Sequence, residues 1–157
     1  MSIEPLPSPA EAIPHKHDAV LIDKILHADA NRVTAVATVR PGTAFSDAAG
    51  NLPGWVGPEI MAQAVAAFSG CRSLRERGES AEIGLLLGIR NYESAAAEFR
   101  VGDQLRIEVA RSSEDEEGRG VFDCSISMAG AVVAAGSLTV FEPRDGSYLE
   151  AERARND

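Results

Sequence analysis

The side chains best suited to acid–base chemistry are one glutamate at the start of an apolar segment and three histidines. The glutamate is Glu59, in the first turn of a predicted helix. A carboxyl group there can exchange a proton with a bound molecule, or it can simply occupy the positive end of the helix. The histidines are His15, His17 and His27, and none follows in the sequence. Proton transfer therefore has few candidate groups.

Polar groups close to Glu59 in the sequence could assist it. Gln63 lies one helical turn later on the same face, where it can orient Glu59 or hydrogen-bond a loop. Gly54 and Gly57 are either turn residues only or the source of backbone amides that bind a developing oxyanion. Asp47, in the preceding loop, is a spare acid–base candidate.

Metal and cofactor chemistry find little support in the sequence. His15 and His17 could place two ligands together, but there is no third neighbouring histidine and no cysteine cluster to complete a site. The chain has no glycine-rich phosphate-binding fingerprint, no Gly-x-Ser-x-Gly motif and no redox cofactor motif. We predict no metal and no cofactor.

Composition indicates a single soluble domain. The 157 residues are 45% hydrophobic and 25% charged, an ordinary globular balance. A formal net charge of -9 argues against nucleic acid as the main partner. No stretch is long and apolar enough for a membrane span. The two cysteines, Cys71 and Cys124, lack CxxC spacing, which favours buried reduced thiols and a cytoplasmic location.

The order of predicted elements is strand, strand, helix and four strands, an α+β arrangement in which an antiparallel sheet surrounds one buried helix. The helix runs from Gly57 to Arg77, is apolar on nearly every side, and ends at Gly78. A long loop precedes it, from Pro41 to Pro58. The predicted strands cover 19–26, 32–39, 82–94, 104–112, 119–128 and 131–141. Residues 1–14, with four prolines, form a predicted extended arm, 15–141 the domain, and 142–157 a charged tail.

Three blocks of sequence resemble the β-hydroxyacyl-(acyl carrier protein) dehydratases. Pro14-His15 through Asp23-Lys24 is similar to the family's Pro-His-Arg, Leu-Leu-Val-Asp-Arg opening, and Leu52-Pro53-Gly54 through Gln63 to its Met-Pro-Gly and Glu-x-Met-Ala-Gln motifs. Gly88 to Val109 resembles its Gly-Ile-Asp and Pro-Gly-Asp-Gln-Leu stretch. The resemblance covers roughly residues 13–141. It implies a hot-dog fold and a dimer with acyl tunnels along the interface.

The sequence departs from this family at one position. Its dehydratases carry a catalytic histidine in the loop before the helix, and the equivalent residue here is Phe45. The pattern is most similar to the divergent branch associated with aryl polyene clusters, which also lacks this histidine. Either His15 or His17 could then replace it. We expect the His15 ring to approach the Glu59 carboxylate, directly or through one water, from the same or the partner subunit.

The resemblance implies a dehydratase that removes water from 3-hydroxyacyl thioesters on acyl carrier protein or coenzyme A. Its catalytic candidates are Glu59, His15 and Asp47. Gly54, Gly57, Trp55 and Gln63 are the substrate-binding candidates, although Trp55, like Tyr92, could be ordinary core. Two alternatives stay open, a hot-dog thioesterase and a non-catalytic acyl-binding subunit that pairs with a catalytic hot-dog relative. We expect a homodimer or higher oligomer, paired through residues 82–94, because a sheet around one helix leaves an edge strand uncovered.

Overall fold

A computed structural model describes residues 5–78 and 84–142. A six-stranded antiparallel sheet has the order β1-β2-β6-β7-β8-β4, and a two-stranded sheet pairs β3 with β5. The strands are β1 Lys24–Ala28, β2 Arg32–Thr38, β3 Leu52–Pro53, β4 Leu85–Ser94, β5 Glu98–Phe99, β6 Gln104–Glu114, β7 Arg119–Met128 and β8 Ala131–Phe141. The helices are α1 Pro9–Ala12 and α2 Gly57–Arg77, with 3₁₀ turns at His17–Ala19 and Gly54–Val56. The predicted α+β class is confirmed.

Helix α2 forms the centre of the domain and has the predicted bounds. Pro58 stands in its first turn, where a missing amide hydrogen costs nothing, and Glu59 lies beside it. The helix ends at Gly78, whose φ of 70° is left-handed and whose amide bonds to the Leu74 carbonyl at 3.0 Å. Ile60, Met61 and Phe68 are among its fully buried side chains. A helix apolar on most sides is stable only when enclosed, and here the sheet wraps around it.

Buried and exposed side chains alternate along the strands, and the buried ones pack on this helix. On β6, Leu105, Ile107 and Val109 are buried while the residues between them are exposed. Ile107 pairs with Ile126 of β7 in the antiparallel register. Cys71 and Cys124 are both buried and free, as predicted, and burial raises the pKa of Cys124 to about 12.

Strand β4 differs from the other strands because it lies at the sheet edge and is largely exposed. Leu86, Leu87 and Ile89 are 48%, 51% and 36% exposed. One side of β4 is hydrogen-bonded to β8, and no described strand pairs with the other. An exposed apolar edge of this kind is suited to pairing with another chain.

The described part of the N-terminal arm is not extended throughout as predicted, and residues 1–4 of the predicted arm lie outside the described residues. Residues Pro9–Ala12 form a helical turn, because Pro9 stands in the first turn and Glu11 bonds back to Ser8. Ala12 and Ile13 are buried against the core. Close packing on α2 depends on Gly70, where a Cβ atom would collide with the Ala12 carbonyl oxygen. This docking fixes the chain that leads to His15.

Other sequence predictions need smaller corrections. The first strand begins at Lys24 rather than Ala19, since His17–Ala19 is a 3₁₀ turn. The short strands β3 and β5 were not predicted. Residues 143–157 of the predicted tail and 82–83 of the predicted third strand lie outside the described residues. Across the described ranges, no helix has the length and apolarity required to cross a membrane.

Candidate active site

His15 and Glu59 meet at the start of α2. The Nε2 atom of His15 lies 3.2 Å from Oε1 of Glu59, and the two side chains are 27% and 31% exposed. Both residues belong to the same chain, and the docked arm positions the histidine. The approach expected from the sequence is thus confirmed, whereas the catalytic roles of the two residues stay predictions.

Gln63 holds Glu59 from the next turn of α2. It is completely buried, and its Nε2 donates to Glu59 Oε1 at 3.1 Å and to the Ala19 carbonyl at 2.7 Å. Its Oε1 accepts the Leu21 amide at 2.8 Å. These bonds satisfy backbone groups of the segment between the 3₁₀ turn and β1. Gln63 therefore orients Glu59 and also binds a loop, so both interpretations of this residue are confirmed.

His15 and Glu59 lie beside an apolar cavity. A cavity of about 170 Å³ is lined by His15 and Glu59 together with side chains of α2, β4 and β8. Its apolar lining comes mainly from Ala62, Val65, Ala66, Leu86 and Val140. Among the described residues, Glu59 Oε2 has no hydrogen-bond partner, and the buried Nδ1 of His15 has none either. The arrangement places a proton-exchanging pair beside a space suited to an acyl chain.

The turn before α2 is held by several hydrogen bonds. Gly54 donates to the Ala97 carbonyl at 2.8 Å, and Gly57 donates to the Gly54 carbonyl. The Tyr92 hydroxyl also donates to that carbonyl, at 2.7 Å. Both glycine amides therefore have acceptors here, and the substrate-binding role expected for Gly54 and Gly57 stays a prediction. The amides of Trp55 and Val56 lie between them.

The remaining candidates lie apart from the pair. Asp47 accepts the amides of Ala49 and Asn51 at 2.9 and 3.0 Å, so it stabilises its own loop. His27, predicted in a turn, lies on β1 and bonds to Asp29 at 2.9 Å. That hydrogen bond is the main reason that the pKa of Asp29 falls to about 2. Neither carboxylate contacts Glu59 in the structure.

Trp55, Phe45 and His17 make no hydrogen bond or ion pair with Glu59 or His15 in the described structure. Trp55 is 73% exposed and therefore is not core. Phe45, at the position of the family's usual histidine, packs partly buried against the core. His17 is exposed and has a φ of 53°.

Sequence reasoning did not identify the cavity wall. Ala62, Ala66 and Ser69 follow Glu59 along α2 at helical spacing, and this row of small residues was the available signal. Leu86 and Val140 come from distant strands, so no local pattern could have found them. Within the described ranges, no group of three or more His, Cys, Asp or Glu side chains is placed to hold a metal ion.

Comparison with protein families places these features in context. The family model for ApeP-like dehydratases, described as ApeP dehydratase, matches residues 7–151. The chain belongs to this family. It is similar to a chain in the structure of the dehydratase heterocomplex ApeI:P from Xenorhabdus doucetiae, with 30% identity and a TM-score of 0.81. That alignment covers 92% of this chain and 97% of the other.

Two less similar structures share the fold alone. The phenylacetic acid degradation protein PaaI from Thermus thermophilus is 18% identical, with a TM-score of 0.55, and 76% of this chain aligns with 90% of it. The thioesterase PA1618 from Pseudomonas aeruginosa is 14% identical, with a TM-score of 0.53 and coverages of 76% and 78%. No curated protein matches the sequence significantly. The predicted hot-dog fold and family are confirmed.

Proposed function

We propose that this protein removes water from 3-hydroxyacyl thioesters carried on acyl carrier protein, in polyene biosynthesis. The single observation that carries the proposal is the contact between His15 and Glu59 beside an apolar cavity. Membership of the ApeP-like dehydratase family supports the reaction type. The contact also supplies two proton-exchanging groups although Phe45 replaces the usual loop histidine.

The reaction breaks a Cα–H bond and a Cβ–O bond and forms a Cα=Cβ double bond and water. We assign the removal of the α-proton to Glu59, because Gln63 donates to its Oε1 and leaves Oε2 open. The leaving hydroxyl receives a proton from Nε2 of His15 when the ring carries both of its protons. Glu59 is then protonated and His15 neutral. Transfer of one proton across the 3.2 Å contact restores both groups.

The thioester oxygen gains negative charge as the α-proton leaves, and it needs hydrogen-bond donors. We assign this role to the amide of Trp55, because the amide of Val56 is used in the 3₁₀ turn that leads into α2. The positive end of α2 favours negative charge at the same place. Gly54 and Gly57 then serve as the two ends of the turn, whose amides already have acceptors.

A second hot-dog subunit is the proposed partner. The related structure is a heterocomplex, ApeI:P, and β4 here offers an unpaired edge with three exposed apolar side chains. Leu86 of β4 also lines the cavity, so a chain pairing with β4 would lie close to it. Both a second copy of this chain and a related hot-dog chain fit this edge.

The test is incubation with a 3-hydroxyacyl thioester on acyl carrier protein, and separately on coenzyme A, followed by mass analysis. We expect the α,β-unsaturated thioester. Glu59→Gln keeps the shape of the side chain and removes its proton exchange, so turnover should fall by about 10²-fold or more. Glu108→Gln, at an exposed glutamate paired with Arg106, is the matched control and should keep full activity.

Other products would separate the alternatives. Free thiol would identify a thioesterase. Absence of any product, both alone and with a hot-dog partner, would identify a non-catalytic acyl-binding subunit. Wild-type turnover in Glu59→Gln would remove Glu59 from the mechanism.

A further inference from the structure

Tyr92 links the edge strand β4 to the turn that precedes α2. Its hydroxyl donates to the Gly54 carbonyl at 2.7 Å, and the same carbonyl accepts the amide of Gly57. The side chain is partly buried, and burial raises the pKa of the phenol. The hydroxyl is therefore protonated at neutral pH and remains a donor.

An irregularity in β4 directs this side chain inward. The register with β8 shifts between Arg90 and Glu93, and Asn91 within this stretch has a φ of 55°. Asparagine tolerates the left-handed conformation better than most residues. Such a bulge re-aims the side chains of an edge strand, and bulges are common next to active sites. Here the strand before the bulge is exposed, whereas Tyr92 turns towards the start of α2.

The turn is shaped to receive the phenol. A Cβ atom at Gly57 would overlap the Tyr92 hydroxyl oxygen and would lie 2.8 Å from Cζ. A Cβ atom at Gly54 would lie 2.7 Å from the Ala96 carbonyl oxygen. The two glycines thus allow β4 and the residues after it to approach the turn from the side of the sheet edge.

We propose that Tyr92 is a positioning residue for the thioester-binding turn. It fixes the Gly54 carbonyl, and with it the orientation of the peptide group that carries the Trp55 amide. It makes no hydrogen bond with Glu59 or His15, so it acts through the turn. Because Tyr92 belongs to β4, pairing of β4 with a partner chain would also act on this turn. This inference rests on the proposed oxyanion role of the Trp55 amide.

The main test is Tyr92→Phe, which keeps the ring and removes one hydrogen bond. We expect kcat to fall about 10-fold with KM changed less than about twofold, because a misplaced Trp55 amide matters most in the transition state. Hydrogen exchange at residues 55–57 should accelerate while exchange in β6 and β7 is unchanged. Ser112→Ala removes a hydroxyl bond to the Val121 carbonyl far from the turn and is the matched control.

A second pair of variants tests the bulge. Asn91→Gly accepts a positive φ and should retain wild-type kcat, whereas Asn91→Val disfavours it and should reproduce the Tyr92→Phe defect. Unchanged kcat together with unchanged exchange at 55–57 in Tyr92→Phe would overturn the proposal. If the wild type performs no dehydration, the proposed function fails by itself. The exchange measurement then still decides whether Tyr92 fixes the turn.

Discussion

The side-chain amide of Gln63 donates to Oε1 of Glu59 at 3.1 Å, one helical turn away. The same amide group hydrogen-bonds the backbone of Ala19 and Leu21. One buried side chain therefore fixes the carboxylate of the site and the approach to β1 together.

Substitution of Gln63 should both destabilise the fold and misplace the Glu59 carboxylate. Gln63→Ala leaves the Leu21 amide and the Ala19 carbonyl without their partner, at a cost of about 1–3 kcal/mol each. We expect a lower melting temperature and reduced turnover, measured by calorimetry and by the dehydration assay. Gln104→Ala, at the other glutamine, which is exposed on β6, provides the control and should change neither. Equal melting temperatures for the two variants would argue against this role.

His15 should be needed for water loss but not for removal of the α-proton. His15→Ala should lower dehydration by about 10²-fold, while exchange of the substrate α-hydrogen with D₂O, measured by NMR, continues. Glu59→Gln should stop both reactions. His17→Ala is the natural comparison, since His17 is exposed nearby, and it should behave as wild type. Loss of α-hydrogen exchange in His15→Ala would reverse the two assigned roles.

Gly70 should resist a substitution that usually stabilises helices. Replacement of glycine by alanine inside a helix normally gains up to about 1 kcal/mol. Here the added Cβ would collide with the Ala12 carbonyl oxygen and push the arm away. We expect Gly70→Ala to lower the free energy of unfolding by about 1–3 kcal/mol, and turnover to fall because His15 moves. A stabilised variant in urea unfolding would disprove the close packing of the arm.

The edge of β4 should control assembly. The 16.6 kDa chain should sediment as a dimer or a larger assembly, alone or with a related hot-dog chain. Leu87→Lys places a charge on the unpaired edge and should shift it towards the monomer. Val132→Lys tests a similarly exposed apolar residue on β8, away from the edge, and should leave assembly intact. A wild type that is monomeric under every condition would contradict the proposed pairing.

Local patterns in the sequence predicted most of the fold. Helix α2 has its predicted bounds because Gly78 ends it and its composition requires enclosure. The turn at Asp29 follows from side-chain bonds to the next residues, with the Asn31 amide 2.8 Å from its Oδ1. The prediction of an extended arm was wrong at residues 9–12. Proline disrupts a helix only in its interior, and Pro9 stands at the start of α1.

The missing first part of the predicted first strand and the cavity wall depend on long-range contacts, which local sequence patterns do not show. The segment 20–23 is apolar enough for a strand, but Gln63 takes the Leu21 hydrogen bond that a neighbouring strand would otherwise use. The cavity wall combines α2 with Leu86 and Val140. The pairing of His15 with Glu59 could be predicted because both residues stand in blocks that resemble one family, and the contact of Gln63 with Glu59 could be predicted from helical spacing.

The exposure of Trp55 makes the protein its own optical reporter. It is the sole tryptophan of the chain and is 73% exposed in the turn that leads into α2. Fluorescence excited selectively at tryptophan would therefore report on this turn alone, without an added label. A blue shift or loss of acrylamide quenching would signal that a thioester, a carrier protein or a second subunit has covered this turn.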